Sequence, residues 1–203
     1  MLIHSYIGLL LFEYQKRDDD MDKVKVYLLC GKARNGKDTF AKFLEKYLIE
    51  HDRRVCNIEL MRTLKGYVKD YFDWDGSEES KPRELLQKFG TEIIREKLNK
   101  PYFHIDRLCE DIEILATYFD TFIVDDVRFP LEIETLRERF SDITVIHISR
   151  DNVVNNMTDE ENMHISETAL DGYDNYDYKV KNNSTLEDLE NKAKEIISEG
   201  DLI

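Results

Sequence analysis

The residues with the clearest chemical potential are Gly31-Lys32-Ala33-Arg34-Asn35-Gly36-Lys37-Asp38-Thr39, which read G-x-x-x-x-G-K. Glycines let a backbone curl until successive N–H groups point at one anion. A helix beginning there adds its partial positive charge, and a lysine can reach the β- and γ-phosphates of a nucleotide. Residues Gly31, Ala33, Arg34, Asn35, Gly36, Lys37, Asp38 and Thr39 are therefore the candidate nucleotide-binding set. The alternative is a glycine-rich turn that binds nothing. Asp38 stands where a P-loop usually carries the Ser or Thr that meets Mg²⁺. A carboxylate can also ligate Mg²⁺, but it brings negative charge close to phosphates.

A second candidate is Thr121-Phe122-Ile123-Val124-Asp125-Asp126, an apolar run ending in two carboxylates. P-loop enzymes place the Asp that positions Mg²⁺ at the end of such a strand. Side chains alternate along a strand, which predicts that only one of Asp125 and Asp126 faces the nucleotide. Arg128, just beyond, is placed to meet a phosphate or to pair with Asp125. Arg83, Gln87, Thr91 and Arg95 recur at four-residue spacing, one face of a helix if it continues past Gly90. That face either holds a phosphate and reads a base or is simply solvated. Arg150, ending another apolar run, could stabilise charge on a transferred phosphoryl group. His164 lies in a loop and is not expected to act as a base.

These residues need positioning elements. Val24–Cys30 reads as a buried strand, and Phe40, Phe43, Leu44, Tyr47 and Leu48 mark one face of the helix after the loop. Strand, glycine loop and helix is the context that makes the motif a P-loop. Further strands are predicted over 54–60, 121–126, 143–150 and 178–180, with helices over about 61–74, 82–98 and from Pro101 and Pro130. The polar run Asp151–Asn162 reads as a lid-like loop. Ser184-Thr185-Leu186-Glu187 is read as a capping box opening a last helix, with Leu186, Leu189, Ala193, Ile196 and Ile197 inward and Gly200 at its end. Strands alternating with helices indicate an α/β fold: a three-layer P-loop NTPase architecture with a mostly parallel central sheet and helices on both faces.

The chain has 203 residues and a net charge of −14. That length suits one domain. The acidity argues against a nucleic-acid polymer as partner but not against nucleotides, which need only a local positive pocket. Three scattered cysteines, Cys30, Cys56 and Cys109, show no metal spacing and suit reduced thiols in a cytoplasmic setting. Residues 1–20 form an N-terminal extension ahead of one domain over 21–203. They are read as a misassigned start with Met21 the true one, as an extra packed element, or as a weak membrane anchor. The apolar stretch is about a dozen residues, short of the ~20 a membrane span needs, so no stable membrane association is expected.

Taken together, the chain resembles the deoxynucleoside monophosphate kinases of bacteriophages and bacteria. The resemblance rests on the 31–39 loop, Leu64-Lys65, Leu86-Gln87-Lys88-Phe89-Gly90-Thr91-Glu92, Asp126-Val127-Arg128-Phe129-Pro130, Ile148-Ser149-Arg150 and His164-Ile165-Ser166-Glu167, in order over about residues 24–200. It implies ATP- and Mg²⁺-dependent phosphoryl transfer to a deoxynucleoside monophosphate. Lys37, Arg128, Arg150 and Asp126 would serve the reaction, and Asp38 and Asp126 would hold the metal. Lys65, Arg83, Gln87, Thr91, Arg95 and Arg128 would hold the acceptor. A homodimer stays open beside a monomer. Arg62-Thr63 stands where the family commonly has Asp-Pro, and a family tryptophan has no counterpart near Tyr102-Phe103; both departures bear on substrate specificity. Phosphomevalonate or dephospho-coenzyme A as acceptor, or a non-catalytic nucleotide sensor, are the rival readings.

Overall fold

A computed structural model describes residues 24–200 apart from 152 and 154–156. The proposed extension, residues 1–20, lies outside the described residues. Five strands, β1 (Lys25–Cys30), β2 (Val55–Glu59), β3 (Thr121–Val127), β4 (Asp142–Ser149) and β5 (Tyr178–Lys181), form one sheet in the order β2-β3-β1-β4-β5. All four neighbouring pairs are parallel. Parallel neighbours require crossovers, and the crossover helices cover both faces.

Period-two alternation divides the core. Val26, Leu28 and Cys30 of β1 point to one face, with Phe122 and Val124 of β3. There they meet Ile105, Leu108 and Ile112 of α4 (Phe103–Leu115) and Ile133 and Leu136 of α5 (Pro130–Arg139). Tyr27 and Leu29 point to the other face, against Phe40, Leu44 and Leu48 of α1 (Lys37–Glu50) and Leu189, Ala193, Ile196 and Ile197 of α8 (Leu186–Gly200). A smaller cluster, Leu64, Val68, Trp74 and Ile94, joins α2 (Arg62–Tyr71) to the segment 83–97. Among the described residues no helix is long and apolar enough to cross a membrane.

Several local expectations change. The helix expected over 82–98 is a short α3 (Arg83–Gln87) followed by a π-helix, Lys88–Lys97. Its wider turn shows in Leu98 N–H, which donates to Ile93 O at 2.8 Å, five residues back. The expected lid-like run 151–162 ends in helix, α6 (Asp159–Met163), because Thr158 and Glu161 cap each other reciprocally at 3.2 and 2.8 Å. A further turn, α7 (Ile165–Thr168), follows it. The box at the last helix is shifted by one residue: Thr185 pairs with Asp188, not Ser184 with Glu187. Leu186, expected inward, is therefore exposed.

His104, in the first turn of α4, is fully buried, and neither ring nitrogen has a partner among the described residues. Burial, helped by the charge of Arg95, lowers its pKa to about 4. The unfolded chain binds this proton near the ordinary value of ~6.5 while the folded protein refuses it. Stability contributed by the neutral ring is thus complete above pH ~6.5 and is lost progressively as pH falls toward 4. His104→Phe is expected to flatten the fall in melting temperature between pH 7 and pH 5. Parallel thermal denaturation curves of the two proteins across that range would refute the assignment.

Candidate active site

The glycine loop joins β1 to α1 at the carboxyl end of the sheet, where open α/β sheets bind ligands. Gly31 has φ +142°, and a Cβ there would lie 2.2 Å from Ile148 O. Gly36 has φ +95°, and its Cβ would lie 2.4 Å from Asn182 Nδ2. A side chain at Gly31 would have to move the backbone of β4, and one at Gly36 would displace the Asn182 amide and strain a left-handed backbone. Asn35 Nδ2 donates to Ile148 O at 3.1 Å and Asn182 Nδ2 donates to Asn35 O at 3.0 Å, tying the loop to both neighbours. Lys37 is buried, and its Nζ donates to Gly31 O at 2.9 Å and Lys32 O at 3.0 Å. Burial, with Arg128 nearby, lowers its pKa to about 8.

Alternation along β3 does not hold at its end. Leu28 pairs with Val124 but Cys30 pairs with Val127, so three residues of β3 oppose two of β1. Asp126 has φ +61°, a left-handed conformation rare outside glycine and Asn/Asp. The expectation that Asp125 and Asp126 face opposite ways is therefore overturned. One carboxylate oxygen from each, and one from Glu59, lie within 4.8 Å of one another. Asp125 Oδ1 is buried without a partner among the described residues, and burial, then Asp126 and Glu59, push its carboxyl up. Asp126 goes the other way: burial opposes its charge, but Lys65 and Arg128 outweigh that and hold it below the usual range. Three oxygen donors suit a hard cation such as Mg²⁺. Asp38, exposed in the first turn of α1, stands outside this trio, although its charge acts on Asp125 and Lys37.

Lys65, Arg83, Gln87, Thr91, Arg95 and Arg128, scattered in sequence, line one cleft with Asp126. A four-residue step overshoots an α-turn and falls short of the wider π-turn, so the drift around the helix partly cancels. That keeps the four residues from 83 to 95 aligned past Gly90. Of the two partners expected for Arg128, Asp125 is not the one it takes in the folded chain. Its Nη1 donates to Glu167 at 2.8 Å and to Gly31 O at 3.3 Å. Arg95 is paired with fully buried Glu132 and stacks on the Phe129 ring at 4.3 Å. Glu132 also accepts from the backbone N–H groups of Arg128 at 2.7 Å and Phe129 at 3.0 Å. Glu59 and Glu132 were missed by sequence reasoning. Glu132 had a signal, a glutamate in the first turn of a helix that opens with Pro130; Glu59 had none. Arg150 lies apart from this cleft, lining a cavity of about 510 Å³ with Lys32, Ala33, Asn35 and Asn162.

A family model described as deoxynucleotide monophosphate kinase matches residues 71–193, more than half of the chain. The chain belongs to this family. The match takes in the cleft residues Arg83, Gln87, Thr91, Arg95 and Arg128, with Arg150 and Glu167, while the glycine loop and Lys65 precede it. The deoxynucleotide monophosphate kinase of Escherichia phage RB69 is 28% identical over 115 residues, covering 57% of this chain and 44% of the phage protein. The match thus spans less than half of that relative's length. Among solved structures, a Janibacter sugar kinase superposes with a TM-score of 0.50 at 12% identity, over 86% of this chain and 95% of that one. A dephospho-CoA kinase from Campylobacter jejuni gives 0.48 at 15% identity, over 88% and 98%. The first likeness shows the shared kinase fold.

The convergence of Asp125 and Asp126 predicts that neither is dispensable in this kinase-family chain. Asp125→Asn and Asp126→Asn should each raise, by about tenfold, the Mg²⁺ concentration giving half-maximal ATP turnover, an effect on the scale of one charged ligand. An unchanged Mg²⁺ requirement in Asp125→Asn would refute a shared site.

Proposed function

We infer that the chain transfers the γ-phosphoryl group of ATP to a deoxynucleoside monophosphate, giving the diphosphate. The observation that carries this reading is the gathering of cations at the cleft beside the glycine loop. Lys65, Lys81, Arg83, Arg95 and Arg128 all line it in a chain of net charge −14, and each is held by a carboxylate: Lys65 by Glu59 and Asp126, Lys81 and Arg83 by Glu78, Arg95 by Glu132 and Arg128 by Glu167. A phosphate entering there can take over donors from those carboxylates. Membership of the kinase family supports ATP as the donor and a nucleotide as the acceptor.

In this reading the amides from Gly31 to Thr39 cradle the donor phosphates, and Lys37 releases the two loop carbonyls to meet them. Asp126, with Asp125 and Glu59 beside it, would hold Mg²⁺, with Asp38 at the start of α1 as a further candidate ligand, and the ion would supply positive charge to the transferred phosphoryl group. Lys65, Arg83 and Arg128 grip the acceptor phosphate, so that one of its oxygens faces the γ-phosphorus in line with the leaving ADP. Gln87 and Thr91 offer a carboxamide and a hydroxyl to the base, while Met61, Leu64, Leu86 and Phe129 give it apolar walls. Arg150, on the far side of the glycine loop, balances charge on the donor. Residues 21–203 act as one kinase domain.

The test is ADP release with ATP and Mg²⁺ against single acceptors. At least one of dGMP, dTMP or a pyrimidine analogue should be converted, and phosphomevalonate and dephospho-coenzyme A should not. Lys37→Ala should lower turnover at least ~10²-fold, as for loss of one preorganised electrostatic group. Gln87→Ala should change the ranking among bases, because an unmatched base leaves buried polar groups unpaired. ADP release that ignores every nucleoside monophosphate would sink the kinase reading and favour a nucleotide sensor.

A further inference from the structure

We propose that the carboxylate of Glu167 is a built-in stand-in for a phosphate group, holding the glycine loop and Arg128 until a nucleotide phosphate displaces it. The proposal rests on the kinase reading for the nature of the ligand. Glu167 lies in α7, and its side chain is 9% exposed. Its Oε2 accepts from the backbone N–H of Ala33, inside the glycine loop, at 3.2 Å. The same oxygen accepts from Arg128 Nη1 at 2.8 Å. A loop amide and an arginine on one oxygen is how a protein holds a phosphate.

Two further observations point to displacement rather than coexistence. Glu167 borders the acceptor cleft, the cavity beside Arg150 and the small gap between them under Gly31 and Arg128. A phosphoryl group passing from the loop to the acceptor has to cross that point. The acceptor cleft also encloses only about 100 Å³, whereas small-molecule sites run to roughly 300–1,000 Å³. Ser166 and Glu167 form part of its wall, and the adjacent α6 is latched by Gln87 Nε2 donating to Glu161 O at 3.1 Å. An amide hydrogen shared between Glu167 and a phosphate would bond each more weakly, and two anions on one spot repel. Release of Glu167 would free the Ala33 amide and Arg128 together and widen the cleft at the same time.

The test is binding, not turnover, so it is independent of the acceptor. Glu167→Gln and Glu167→Ala are compared with the unaltered protein for ADP affinity by calorimetry. Hydrogen exchange of residues 164–171 in the unaltered protein is followed with and without ADP. Removing the competing anion should tighten ADP binding on the order of fivefold, since the unaltered protein must first populate its open form. Exchange at 164–171 should speed up with ADP, the reverse of ordinary protection by a ligand, because the amides of Glu167, Ala169 and Asp171, each bonded within the segment, lose their seat. Equal or weaker affinity in both variants, or slower exchange on adding ADP, would overturn the proposal and leave the kinase reading standing. No ADP binding by any of the proteins would overturn both.

Discussion

Arg128 is held at both ends by carboxylates. Its backbone N–H donates to Glu132 and its guanidinium donates to Glu167. The first bond locks the turn between β3 and α5; the second joins that turn to the glycine loop, through the oxygen that also accepts from Ala33. The glycine loop, the turn between β3 and α5 and the α6–α7 segment therefore meet on one side chain. Burying so much charge is costly unless each group is paired and hydrogen-bonded. The cleft pairs its charges, Arg95 with Glu132, Lys65 with Asp126 and Glu59, and Arg83 with Glu78, while Arg95 Nε is left without a partner among the described residues. In the proposed reading, a phosphate entering this site exchanges partners with carboxylates already there.

The cleft lined by Arg83 to Arg95 also depends on a separate patch of packing. Leu64, Val68, Trp74 and Ile94 form a cluster apart from the two faces of the sheet, with Leu85, Leu86 and Phe89 beside it. It fastens α2 and the α3–π segment to each other. The π-helix is the irregular part, and π-turns recur at functional sites because they re-aim side chains within a continuous helix. Here the widened turn keeps Thr91 and Arg95 on the same wall as Arg83 and Gln87. The glycine loop rests on the parallel sheet, whereas the cleft wall from Arg83 to Arg95 rests on this smaller cluster.

What the sequence by itself determined is local. Two glycines at fixed spacing between an apolar strand and an amphipathic helix specify the P-loop, because the backbone and the periodicity of five or six neighbours decide it. The parallel sheet follows from strands alternating with helices. The sequence also singled out four of the cations that line the cleft, Lys65, Arg83, Arg95 and Arg128, through four-residue spacing over 83–95 and through family resemblance, but not Lys81. Only the tertiary structure decided their partners. Asp125 and Asp126 converge because a bulge against β1 and one left-handed residue break the period of two, and a bulge is a property of a pair of strands. The turn of Arg128 is set by Glu132, Asp126 is neutralised by Lys65, and the glycine loop is met by Glu167 from 134 residues further along the chain. Those pairings depend on which strand ends lie side by side in the folded sheet, and no local pattern of residue types encodes that neighbourhood.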